Sequence, residues 1–145
     1  MASQNVETFR AAHQGFNSRD FDAVVSKMAE DFTYRDQARN VTFTGRQGFK
    51  EFMQGWVEAF SNAAVSDPSY LDAGDTVIAQ FMARGVNDGA FGPLPKTGRE
   101  IDVPFCELMR FDDNGQIVSG SIFYDQLTLM TQLGHIEPSA EAAAG

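Results

Sequence analysis

The sequence predicts an α+β domain, a curved antiparallel sheet with helices on one face. Three observations lead there. Apolar residues recur at helical spacing up to Ser61. Beyond Ser66 they alternate with period two. Within Ile101–Leu133, two such runs flank the turn DDNG, which is a hairpin signal.

Asn5 is a candidate cap for a first helix with Val6, Phe9, His13 and Phe16 on its inner stripe. On such a stripe His13 reads as a hydrogen-bonded core residue. Asn17–Asp20 breaks the helix, and Asp20 or Asp22 opens a second, with Phe21, Val24, Val25 and Met28 inward. Phe32–Asp36 alternates as a first strand, and Gln37–Thr44 reads as a polar loop. Gly45–Gly48 leads into a third helix, about Gln47–Ser61, with Phe49, Phe52, Met53, Trp56 and Phe60 on one side. Aromatic stripes of this kind build cores. Ser66–Leu71 is a strand interrupted by Pro68, Asp72–Asp75 a turn, and Thr76–Val86 a long strand. Asn87–Arg99 is dense in Gly and Pro and reads as a loop able to close over a pocket mouth. Leu127–Leu133 forms a short helix stopped by Gly134, and Ile136–Gly145 an Ala-rich, mobile tail.

The hairpin holds the sharpest local conflict. Alternation puts Ile101, Val103, Phe105, Glu107, Met109 and Phe111 on one face. Burying an unpaired acid among such residues is costly, so Glu107 marks a candidate site. A four-residue loop at Asp112–Gly115 would pair Phe111 with Gln116 and Glu107 with Gly120. Gly120 then leaves space beside the carboxylate, with Val118, Ile122 and Tyr124 on the same face. Replacing Glu107 with Leu is expected to relieve the burial cost.

Bulk properties narrow the function. At 145 residues the chain fits one domain, residues 1–145. With 43% hydrophobic residues and 13 Phe, it has ample core material. A net charge of −9 with only 11 Lys and Arg offers no phosphate-binding footprint, so no nucleic-acid partner is expected. No apolar run reaches the ~18 residues of a membrane span, and no membrane partner is expected. One Cys, no metal-ligand spacing and no signal-like N-terminus leave a cytoplasmic protein without metal as the expectation.

Several stretches carry a family likeness. These are FRAAHQGFNSRDFDAVVSKMAEDFTYRD, TGRQGFKEFMQGW, GPLPKTGREIDVPFCELMRF and FYDQLTLMTQLG. Together they resemble the SnoaL-like polyketide cyclase family, from about Val6 to Gly134. That family belongs to the superfamily of nuclear transport factor 2-like domains, which also holds ketosteroid isomerase. The resemblance implies a cystatin-like α+β barrel, its curved sheet wrapped around the N-terminal helices to form a conical pocket. It implies a homodimer and a hydrophobic small-molecule substrate. It also implies cofactor-independent proton transfer, either isomerisation or aldol-type cyclisation, on a carbonyl compound such as a polyketide or steroid-like ring.

Carried over residue by residue, the ketosteroid isomerase base matches Asp36 in YRDQA. Its protonated oxyanion-hole acid matches Glu107 in ELMRF, and its first-helix phenol falls near Ala12. In the polyketide cyclases a His holds the Glu107 position and the catalytic Asp falls near Ile122, where Asp125 is the nearest acid. The candidate catalytic residues are therefore Glu107, Asp36 and Asp125. The candidate substrate contacts are Phe16 and Trp56 on helices, Tyr34 on the first strand, and Phe105, Met109, Gly120, Ile122 and Tyr124 on the hairpin. A non-catalytic module that binds or dimerises around an apolar small molecule is the alternative.

Overall fold

The computed structural model describes residues 3–137. The chain runs α1 (Gln4–Asn17), α2 (Phe21–Val25), β1 (Met28–Asp36), β2 (Val41–Thr44), α3 (Gly45–Ala59), β3 (Ala64–Asp72), β4 (Thr76–Val86), β5 (Glu100–Phe111), β6 (Ile117–Tyr124) and α4 (Gln126–Leu133). Six strands form one curved, open sheet in the order β2-β1-β6-β5-β4-β3. The aromatic inner faces of α1 and α3 pack on it, with Phe9, Phe32, Tyr34 and Phe60 fully buried. Most of the expected tail, from residue 138 on, lies outside the described residues.

Several elements differ from expectation for local reasons. The α1 cap is Ser3, whose side chain accepts from the Val6 amide, rather than Asn5. Asp20 caps α2. Met28 belongs to β1, which starts four residues before Phe32. The Gln37–Thr44 stretch contains a short edge strand, β2, antiparallel to β1. The sheet is mixed, because β1 pairs with β6 in parallel while the other pairs are antiparallel.

The hairpin register also differs. Phe111 pairs with Ile117 and Arg110 with Ser119, so Val118 is bulged out. Glu107 therefore faces Ile122, and Gly120 faces Met109 rather than Glu107. On its other side Gly120 adjoins Tyr34 of β1. A Cβ at Gly120 would lie 2.5 Å from Met109 Sδ and 2.9 Å from Tyr34 Cδ1. Its missing side chain lets the Tyr34 ring cross β6 towards β5.

The Asn87–Arg99 loop is moored to the end of α3. Buried Asn87 donates to Ala59 O at 3.0 Å and Gly89 O at 2.9 Å, and accepts from Thr97 N at 2.8 Å. Phe91 is buried against Trp56 and Phe60. None of its residues lines the apolar cavity between the sheet and the helices, so its position does not support the lid expectation.

Two outcomes test this packing. Asn87→Ala should cost about 1–3 kcal/mol in denaturant unfolding, because it orphans buried partners. Gly120→Ala should cost a similar ~1–3 kcal/mol through overpacking against Met109 and Tyr34.

Candidate active site

Between the inner sheet face and the helices lies an apolar cavity of about 80 Å³ water-accessible volume. Of the expected contacts, Phe16, Trp56, Phe105, Met109 and Ile122 line it, whereas Tyr34, Gly120 and Tyr124 do not. Glu107 and His13 are its buried polar wall residues. Arg84 sits at its margin, exposed and already held by Asp102 at 2.8 Å and Asp67 at 3.0 Å.

Glu107 is 4% exposed, as the β5 alternation requires. Its burial is offset by partners from two other elements. His13 Nε2 of α1 lies 2.7 Å from Oε1, and the Tyr34 hydroxyl of β1 donates to Oε2 in a short bond. His13, 7% exposed, places Nδ1 2.7 Å from the Tyr70 hydroxyl of β3. With Glu107 charged, every atom is satisfied when Tyr70 donates to Nδ1, Nε2–H donates to Oε1, and Tyr34 donates to Oε2. A carboxylate so held is a compact acid–base centre, with its polar atoms fixed in place at an apolar wall.

Sequence reasoning missed this use of His13 and did not single out Tyr70. The available signal was an ionisable residue on the inner stripe of α1, the same conflict that marked Glu107. Two such residues facing one core are natural partners.

The other candidate acids are engaged elsewhere. Asp36 is fully buried, accepting from Arg39 Nε at 2.7 Å, Arg39 N at 3.0 Å and the Tyr124 hydroxyl at 3.0 Å. The Arg39 guanidinium lies over the Trp56 ring, 5.2 Å from its centroid. Asp36 is absent from the cavity wall. Asp125 caps α4, accepting from Leu127 N at 3.0 Å and the Thr128 hydroxyl at 2.8 Å. The Thr128 hydroxyl bond, foremost, holds its carboxyl below the usual range. Among the described residues no group of three or more His, Cys, Asp or Glu is placed to hold a metal.

All three tyrosines resist ionisation. Burial, then Glu107, pushes Tyr34 well up; burial pushes Tyr70 up to about 12; burial, then Asp36, raises Tyr124. The neutral phenols therefore stabilise the fold fully below the unfolded pKa of about 10, and that contribution is lost as pH rises through the folded values. Absorbance titration should show tyrosinate appearing only above about pH 10, accompanied by a falling thermal midpoint.

The comparisons follow this geometry. A protein from Jannaschia sp. CCS1, provisionally named a SnoaL-like polyketide cyclase, superposes with TM-score 0.83 at 27% identity over 94% of each chain. IdmH from Streptomyces antibioticus, provisionally named a polyketide cyclase, gives 0.78 at 24% identity over 91% of this chain and 99% of its own. A ketosteroid isomerase-like fold from Catenulispora acidiphila, solved with trimethylamine, gives 0.76 at 22% identity over 95% and 100%. No functionally curated protein matches. The family model for SnoaL-like polyketide cyclases matches residues 6–133, and the chain belongs to that family.

Proposed function

We propose that the protein is a cofactor-independent enzyme that moves protons on a hydrophobic carbonyl compound, by isomerisation or aldol-type cyclisation of a polyketide or steroid-like ring. One observation carries this reading: the buried Glu107 carboxylate, gripped by His13 and Tyr34, forms the polar part of an apolar cavity. Glu107 takes the proton from carbon next to the carbonyl, breaking the C–H bond, and returns it to carbon or oxygen later. His13 and Tyr34 each occupy one oxygen of the carboxylate and fix its orientation, leaving further lone pairs to meet the substrate proton. Exclusion of water by the aromatic wall strengthens both bonds. On this reading Asp36 anchors Arg39 and Asp125 caps α4, so neither is the base.

The unpaired Cys106 suits a cytoplasmic, reducing setting. A homodimer through the outer sheet face is part of the same proposal. Exposed Phe123 and Leu71 lie on that sheet and favour being covered.

The test uses a bicyclic ketone, 2-tetralone, and follows deuterium uptake from D₂O at its α-carbon by NMR. Glu107→Gln keeps an acceptor for Tyr34 and should slow uptake by about 10²–10⁴-fold. A folded Glu107→Gln protein with the wild-type rate would end the catalytic reading and leave a non-catalytic pocket. Glu107→Leu should lower stability by about 1–3 kcal/mol or more, since it strands both His13 and Tyr34. That reverses the expectation from the strand pattern alone.

A further inference from the structure

We propose that Tyr70 is the solvent-side terminus through which the Glu107–His13 pair takes up and releases protons. The proposal rests on Glu107 as the proton carrier and supplies its route to water. Glu107 and His13 are 4% and 7% exposed. A carrier that buried needs a hydrogen-bonded neighbour to exchange its proton with water. Tyr70 is half-buried, on β3 at the edge of the sheet, and its hydroxyl is 2.7 Å from His13 Nδ1.

The chain of atoms has two complete hydrogen-bonded states. In the first, Glu107 is a carboxylate, His13 carries its proton on Nε2, and Tyr70 donates to Nδ1. In the second, Glu107 is a neutral acid donating to Nε2, Nδ1–H donates to the Tyr70 oxygen, and Tyr70 donates outward to water. The states differ by one proton. To pass from the first to the second, the Tyr70 oxygen accepts a proton from hydronium as its own moves to Nδ1. The Nε2 proton moves to Oε1 of Glu107, and one water is left. The reverse sequence returns the proton. Tyr34 donates to Oε2 in both states, so it positions the carboxylate without carrying the traffic.

Such a route needs an intact phenol that both donates and accepts. Burial keeps the Tyr70 hydroxyl protonated well past neutral pH. The charged groups facing it come from α1 and β5. The Arg10 guanidinium lies 4.8 Å from the ring centroid and is paired with Glu7 at 3.7 Å, and Glu107 lies beyond His13. Phe9 closes another side, with its ring centroid 5.6 Å away.

The experiment is exchange of the His13 Nε2–H with water, read by NMR on ¹⁵N-histidine-labelled protein. The chain has only two His, so the signal is assignable. Tyr70→Phe keeps the ring packing and removes the hydroxyl; exchange should slow by about tenfold or more, because the proton must then wait for local opening. Tyr124→Phe, whose hydroxyl bonds Asp36 and lies outside this chain, should leave the rate near wild type. Wild-type exchange in Tyr70→Phe, or equal slowing in both variants, would overturn the proposal. If Tyr70→Phe does not fold, Tyr70→Met fills similar space without a hydroxyl and is read the same way. Uptake of deuterium by the ketone with Glu107→Gln judges the catalytic reading separately, because this exchange needs no turnover.

Discussion

A buried carboxylate constrains the inside of this protein more than any other group. Glu107 cannot stay charged in an apolar wall without donors, and its own strand supplies none on that face. The donors arrive from α1 and β1. This requirement is met by His13 from α1 and the Tyr34 hydroxyl from β1. Gly120 follows from it as well: strands lie about 4.8 Å apart, so a residue on β1 reaches β5 only by passing over β6. A side chain at Gly120 would block that passage.

A second polar centre works by the same rule for a different end. Asp36 is as buried as any core residue, yet its oxygens are taken by Arg39 and Tyr124. Arg39 in turn lies over Trp56 and Phe91, which ties the β1–β2 turn to α3 and to the loop after β4. The two acids thus stand on the same inner face of the sheet, one strand either side of Ile122. One faces the cavity and the other fastens the frame around it.

What could be read from the residues follows the range of the interactions. The inward position of Glu107 was legible, because strand alternation is local and the β5 pattern is unbroken from Ile101 to Phe111. Helix stripes placed Phe16 and Trp56 in the cavity wall for the same reason. The hairpin register was not legible, since nothing local marks Val118 as the bulged residue. Nor was the β1–β6 pairing, because parallel partners carry no turn between them to announce the match. His13 and Tyr70 fell in the gap: His13 stood out on its apolar stripe, but only the tertiary approach of α1 to β5 and β3 names its partners.

The parallel pairing of β1 with β6 is also the longest-range pairing in the sheet, joining Tyr34 to Gly120. Tyr34 precedes Glu107 by 73 residues and His13 precedes it by 94. The antiparallel strands β3 to β6 pair with sequence neighbours, whereas β1 finds its second neighbour only across most of the chain. While β1 is undocked, Glu107 lacks its phenol donor and is free to remain hydrated. The cavity's polar wall therefore depends on the sheet's longest-range pairing, and strands β3 to β6 without β1 make a sheet but no phenol-bound acid.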